Sequence, residues 1–260
     1  MAKNNLLYRI ITALILAPLV IGCIFLEFPY YNLLVLAIGG FLSWEWSNLV
    51  ASKEKQAIYS TIYTLSMATS VMLQSWFGIT IMIIISSVLT YIKARQEEHR
   101  WLVVLGVPYI SIGVGSLMWC MITFSYLAVL WLLIVVWSVD IGGYLVGTTV
   151  KGPKLAKKIS PNKTWSGLIG GMIFAAFFGG LFAYIFQGYD HHYYAAFAAV
   201  LAVIEQIGDL IESAIKRKVG AKDSSSIIPG HGGVFDRVDG LIFTAPILLI
   251  LVFLYDMYIY

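Results

Sequence analysis

The chain has 260 residues, of which 60% are apolar and only 12% are Asp, Glu, Lys or Arg, with a formal net charge of +3. Soluble domains carry about 25% charged residues, so these figures and a mean hydropathy of +0.84 exclude an ordinary water-soluble fold. Two cysteines far apart in the chain, Cys23 and Cys120, exclude a disulfide framework or a cysteine-rich metal site.

Long apolar runs separated by short polar stretches predict an all-α, polytopic integral membrane protein, because a crossing needs about 20 mostly apolar residues. Nine runs qualify: 8–26, 30–50, 57–75, 78–93, 101–119, 124–147, 165–187, 194–212 and 240–258. The first has a basic start but no small-x-small cleavage site, and is read as a membrane helix rather than a leader. With the N-terminus cytoplasmic and the C-terminus outside, nine crossings leave five segments inside: Met1–Leu7, 51–56, 94–100, 148–164 and 213–239. Every Lys and Arg falls in or beside one of these, as the bias of positive charge toward the cytoplasm requires. The opposite loops carry Glu27, Gln74, Asp190, His191 and His192, with the histidines read as a wet loop tip.

Taken in order, residues 1–135 read as a scaffold that gives lipid access. Glu45, in "SWEWSN" near the end of the second run, is expected at the interface among belt tryptophans. "SKEKQ" and "KARQEEHR" read as solvated turns. Residues 136–260 read as a catalytic half, with cytoplasmic loops 148–164 and 213–239. Asp140 ends the sixth run in "DIGGY", where a carboxylate at the membrane edge can bind a cation or cap a turn. The loop "KGPKLAKKISPNKTWSG" holds five lysines and a turn at Ser160-Pro161-Asn162. Lys151, Lys154, Lys157 and Lys158 read as contacts to anionic lipid, whereas Lys163, at the start of the next span, suits a substrate. In the eighth run Glu205, Asp209, Glu212 and Ser213 lie at offsets 0, 4, 7 and 8, on one helix face. Acids inside a span are costly and face a polar cavity or a partner. Gly208 leaves room beside Asp209 for a ligand or a neighbouring helix.

The stripe runs into "SAIKRKVGAKDSSSIIPGHGGVFDRVD" at 213–239. Asp236 and Asp239 flank Arg237 there, and with Asp209 they offer hard oxygen ligands of the kind that suit Mg²⁺. Lys216, Arg217, Lys218 and Lys222 precede them. Acids and bases in one short stretch make sense if a divalent metal and a polyanion sit together. "PGHGG" supplies backbone whose N–H groups can approach phosphate, and His231 either donates to phosphate or orients the loop. No P-loop is present, and "IGGYLVG" is too loose for a dinucleotide fingerprint. The Asp-Gly-x-x-Ala-Arg start of the CDP-alcohol phosphotransferases is also missing. Two other readings stand: a membrane enzyme of lipid-linked phosphates such as an isoprenoid or dolichol-type kinase, and a cation-coupled transporter with Glu205 and Asp209 as its ion site. A transporter favours broken helices near the bilayer centre, whereas these acids cluster at one face beside long loops.

The 213–239 stretch resembles the signature of the phosphatidate cytidylyltransferases, or CDP-diacylglycerol synthases, in its Ser, Lys-Arg, Lys-Asp, Pro-x-His-Gly-Gly and Asp-Arg-x-Asp elements. The likeness extends to "QIGDLIES" at 206–213, "SPNKTW" at 160–165 and the Asp-x-Gly-x-Tyr pattern at Asp140. Ser166 stands where the family has an acid, and Gly143 where its pattern usually has alanine. The resemblance implies that CTP and phosphatidic acid give CDP-diacylglycerol and diphosphate with Mg²⁺, in a membrane homodimer of the cell's inner or plasma membrane, without nucleic acid. It implies Asp209 and Asp236 as main metal ligands with Asp239 in support, and Ser213 and Lys222 in the catalytic set. Lys163, Lys216, Arg217, Arg237 and Asp140 would meet substrate, and His231, Gly232 and Gly233 would shape the nucleotide loop.

Overall fold

The computed structural model describes residues 2–73, 75–187, 191–230 and 232–259; Gln74, Asp190 and His231 lie outside them. Among the described residues there are nine α-helices: α1 (Ala2–Leu26), α2 (Tyr30–Val50), α3 (Gln56–Met72), α4 (Trp76–Lys93), α5 (Arg100–Phe124), α6 (Tyr126–Thr149), α7 (Trp165–Gln187), α8 (His191–Lys218) and α9 (Phe235–Ile259). A short hairpin, β1 (Lys154–Ala156) and β2 (Ser160–Thr164), joins α6 to α7. Among the described residues, seven helices (α2 and α4 to α9) are long and apolar enough to cross a membrane. The protein is an all-α polytopic membrane protein.

Helix α3 is rich in hydroxyls, and these turn inward to the backbone, as a low-dielectric environment requires. Thr61 donates to Ala57 O, Thr69 and Ser70 donate to Ser66 O, and Ser111 on α5 donates to the Ser66 hydroxyl. The α5–α6 break carries neither Pro nor Gly; it falls at Ser125, whose φ of 100° lies in the left-handed region and ends the helical run.

Three expectations change at the membrane edge. Ser213–Lys218 continue α8, and Phe235–Asp239 form the first turn of α9, so the irregular loop is 219–234 rather than 213–239. Asp236 in that first turn complements the positive helix end. Ser160-Pro161-Asn162 form strand β2 rather than a turn. The proline is tolerated because a two-stranded ribbon is all edge.

The chain forms two compact units, Met1–Ile122 with Ile215–Val238, and Thr123–Ala214 with Asp239–Tyr260, so α8 and α9 contribute to both. In the first unit Trp46 is buried, donates from Nε1 to Leu102 O at 3.0 Å, and packs on Tyr109 and Phe235 with ring centroids 5.1 and 5.5 Å away. In the second, α6 and α7 meet through glycines: a Cβ on Gly142 would fall 2.7 Å from Gly170 O, and one on Gly167 would fall 2.9 Å from Gly143 O. Helices α8 and α9 also pack closely, and the space left by Gly208 is taken by Phe243 rather than by a ligand.

Candidate active site

In the second unit the stripe on α8 forms as its spacing requires. Glu205 and Glu212 are buried and Asp209 is half-buried, with the Ser213 hydroxyl donating to Asp209 Oδ1 at 3.3 Å. Lys163 reaches Asp209 Oδ2 as an ion pair from strand β2. The hairpin fixes that lysine. Lys154 pairs with Thr164 and Ala156 with Ser160, and Trp165 N donates to Pro153 O. Thr164 Oγ1 then caps α7 by accepting from Gly167 N at 3.1 Å. Ser166, at the position where an acid was expected, donates instead to Lys151 O and so ties the hairpin's base.

From α9, Asp239 joins Asp209 and Glu212: each offers one carboxylate oxygen, all within 4.8 Å of one another. Glu205 lies within electrostatic reach of Asp140, Lys163, Asp209 and Asp239. Gly240 makes room for it, since a Cβ there would sit 2.7 Å from Glu205 Oε1. Two ionised carboxylates 4.8 Å apart repel by roughly 3 kcal/mol at an effective dielectric constant of about 20. Three hard oxygen donors so placed fit a small divalent cation such as Mg²⁺.

In the first unit a second set of residues organises loop 219–234. Asp236 accepts from Lys216 Nζ at 2.7 Å, Ser224 N at 3.0 Å and Gly233 N at 2.9 Å. Gly232, at φ 88°, exchanges backbone hydrogen bonds with Ile228. The N–H groups of Gly232 and Gly233 are therefore engaged, by Ile228 O and by Asp236 Oδ2 on α9. Arg217, Lys222 and Arg237 are exposed at the surface, with Arg217 donating to Ala221 O at 3.1 Å. Asp140 is exposed but lies inside α6, nine residues before its end at Thr149, so it does not end the helical run as expected.

The cytidylyltransferase family model matches residues 7–255. The chain belongs to the cytidylyltransferase family. It is 34% identical to a phosphatidate cytidylyltransferase of Brucella suis over 94% of this chain and 92% of that relative. The same name is carried by relatives from Rickettsia felis (35% identical, 95% and 92% covered) and Rickettsia bellii (35%, 97% and 93%). The protein is thus a membrane-embedded nucleotidyltransferase.

Against the residues expected of this enzyme, the structure brings Asp209, Asp239, Ser213 and Lys163 together and adds Glu212. That residue was visible in the α8 stripe, but its role was not. Asp236 is occupied by Lys216 and the loop amides; His231 is outside the described residues. Glu45 was misread. It is fully buried rather than interfacial, and its carboxylate accepts from the hydroxyls of Ser224 and Ser225 and from the N–H groups of Val234 and Phe235. Of the two flanking tryptophans only Trp44 is exposed. An acid five residues from the end of an apolar run looks solvated, and no local spacing connects it to donors about 180 residues away.

Proposed function

We propose that the protein is a phosphatidate cytidylyltransferase, which converts CTP and phosphatidic acid to CDP-diacylglycerol and diphosphate. The observation that carries the reading is the Asp209–Glu212–Asp239 cluster, with Lys163 on Asp209, in a chain similar along nearly its whole length to enzymes of that name. Asp209, Glu212 and Asp239 would hold Mg²⁺, which when bound supplies charge neutralisation for the phosphates.

An oxygen of the lipid phosphate attacks the α-phosphorus of CTP. The new P–O bond forms as the bond to the β-phosphate oxygen breaks, and the electron pair leaves with diphosphate. The attacking phosphate is already ionised at neutral pH, so no strong base is needed, and catalysis is positioning and electrostatics. Lys163 balances one of the clustered charges and keeps Asp209 oriented, and Ser213 holds the other oxygen of the same carboxylate. Lys216 and Arg217 at the end of α8, Lys222 on the loop and Arg237 at the start of α9 supply cations for the nucleotide phosphates, and Asp236 holds the loop that bears Lys222. Asp140 extends the negative field of the cluster toward the membrane edge. The basic loops face the cytoplasm, where CTP is found.

The test is transfer of label from CTP to lipid by purified protein in detergent, with phosphatidic acid and Mg²⁺. Asp209→Asn and Asp239→Asn are expected to lower the rate roughly 100-fold or more while eluting from gel filtration as wild type does. Wild type that instead phosphorylated lipid from ATP would establish the kinase reading. Inactivity with every nucleotide would direct the work to ion-coupled transport.

A further inference from the structure

The described residues of 219–234 contain no helix or strand, only an isolated bridge between Ile228 and Gly232. A segment of that length keeps one shape only if something outside it supplies the hydrogen bonds that regular structure would give. Two carboxylates do so. Asp236 links Ser224 N to Gly233 N. Glu45, from α2, closes the same interval with all its acceptor capacity near that of a fully satisfied carboxylate. Its Oε1 takes Ser225 Oγ at 2.6 Å and Val234 N at 2.8 Å, and its Oε2 takes Ser224 Oγ at 3.0 Å and Phe235 N at 2.7 Å.

Each oxygen thus binds one group from the start of the 224–235 segment and one from its end. The support beneath is buried and packed. Trp46, the next residue on α2, is anchored to Leu102 O and packs edge-on against Phe235. Gly233 carries an independent trace of the same clasp. A Cβ there would overlap Ser224 Oγ and come within 2.6 and 2.8 Å of the two Glu45 oxygens. The glycine is required by the closure itself.

We infer that Glu45 is a positioning residue for cytidylyl transfer: it fixes the closed shape of the 224–235 segment, and the presentation of neighbouring Lys222, without touching substrate. The inference rests on the function proposed above. Its removal therefore changes the use of the nucleotide more than the use of the lipid, which a merely structural role would not do.

The experiment compares Glu45→Gln and the pair Ser224→Ala/Ser225→Ala with wild type, measuring kcat and KM for CTP and for phosphatidic acid separately, with rates normalised to folded protein. Glutamine keeps the volume but offers a single acceptor oxygen. Each variant is expected to lower kcat/KM for CTP by roughly tenfold or more, with KM for phosphatidic acid changed less than about twofold. Combining the changes should add little, because they act through one closure. Equal losses toward both substrates, fully multiplicative effects, or wild-type kinetics in Glu45→Gln would overturn the inference. If Glu45→Gln fails to fold, the serine pair decides by the same split.

Tryptic cleavage after Lys222 in the native protein reads the closure without activity. It should be at least several-fold faster in the variants, and an unchanged rate would sink the clasp. Wild type that makes no CDP-lipid would defeat the proposed function, while the cleavage rates still judge the closure.

Discussion

Glu97 and Glu45 are carboxylates withdrawn from water and held by different donors. Glu97 takes Ser52 N at 2.8 Å, Ser52 Oγ at 2.9 Å and Lys55 Nζ at 3.5 Å, tying the α2–α3 turn to the segment after α4. Burial alone would push its carboxyl up, but the Ser52 bonds and the Lys55 charge outweigh it and hold the group below the ordinary glutamate value. A depressed carboxyl pKa means that the unfolded chain takes up the proton first. The stabilisation is therefore complete above the unfolded value of about 4.5 and is lost as pH falls through the lower folded value. Glu97→Gln should cost about 2 kcal/mol at neutral pH and flatten the acid limb of stability; melts in detergent from pH 7 down to pH 3 check both. At this scale the sequence was informative where acids stood at helical spacing inside an apolar run, as at Glu205 and Asp209. It was silent where the partner was distant. Glu45 lies inside the second run near its end and Glu97 just beyond the fourth, and nothing local to either distinguishes a held, buried acid from a solvated one.

The hairpin and the glycine-lined helix pair set the place of Lys163. Because α6 and α7 approach through Gly142, Gly143, Gly147, Gly167 and Gly170, added volume has nowhere to go: a Cβ on Gly170 would overlap Val146 and sit 2.9 Å from Gly142 O. Gly170→Ala should destabilise the protein by about 1–3 kcal/mol, read as a lower melting temperature, and lower the transfer rate by displacing β2. Helix cores were legible because the apolar period and length are strong signals. Their ends were not, since α8 and α9 continue into charged residues once a turn leaves the hydrocarbon. Strand β2 was hidden because Ser160-Pro161-Asn162 has turn chemistry, and only pairing with β1 makes it extended.

For the whole molecule, the even segregation of Lys and Arg predicts sidedness. In a background with Cys23→Ala and Cys120→Ala, single cysteines at positions 157 and 226 should react with an impermeant thiol reagent only from the cytoplasmic side, and one at 192 only from the other. Labelling of 157 and 192 from the same side would refute nine crossings with the N-terminus inside. The family and the reaction class were legible because catalytic loops interrupt a membrane sequence conspicuously; the division into units was not, because Ile215–Val238 groups with residues that precede it by most of the chain. That grouping has a consequence in time. Glu45 enters the bilayer with α2, while the groups that will hold it are 179 to 190 residues from being made. At about 5–20 residues per second, synthesis leaves it waiting roughly 10 to 40 seconds. Its place near the helix end lets it reach interfacial water meanwhile. The acid is sealed only after Phe235 has emerged, so a chain cut short before that point leaves Glu45 without the hydroxyls and backbone N–H groups that hold it in the finished protein.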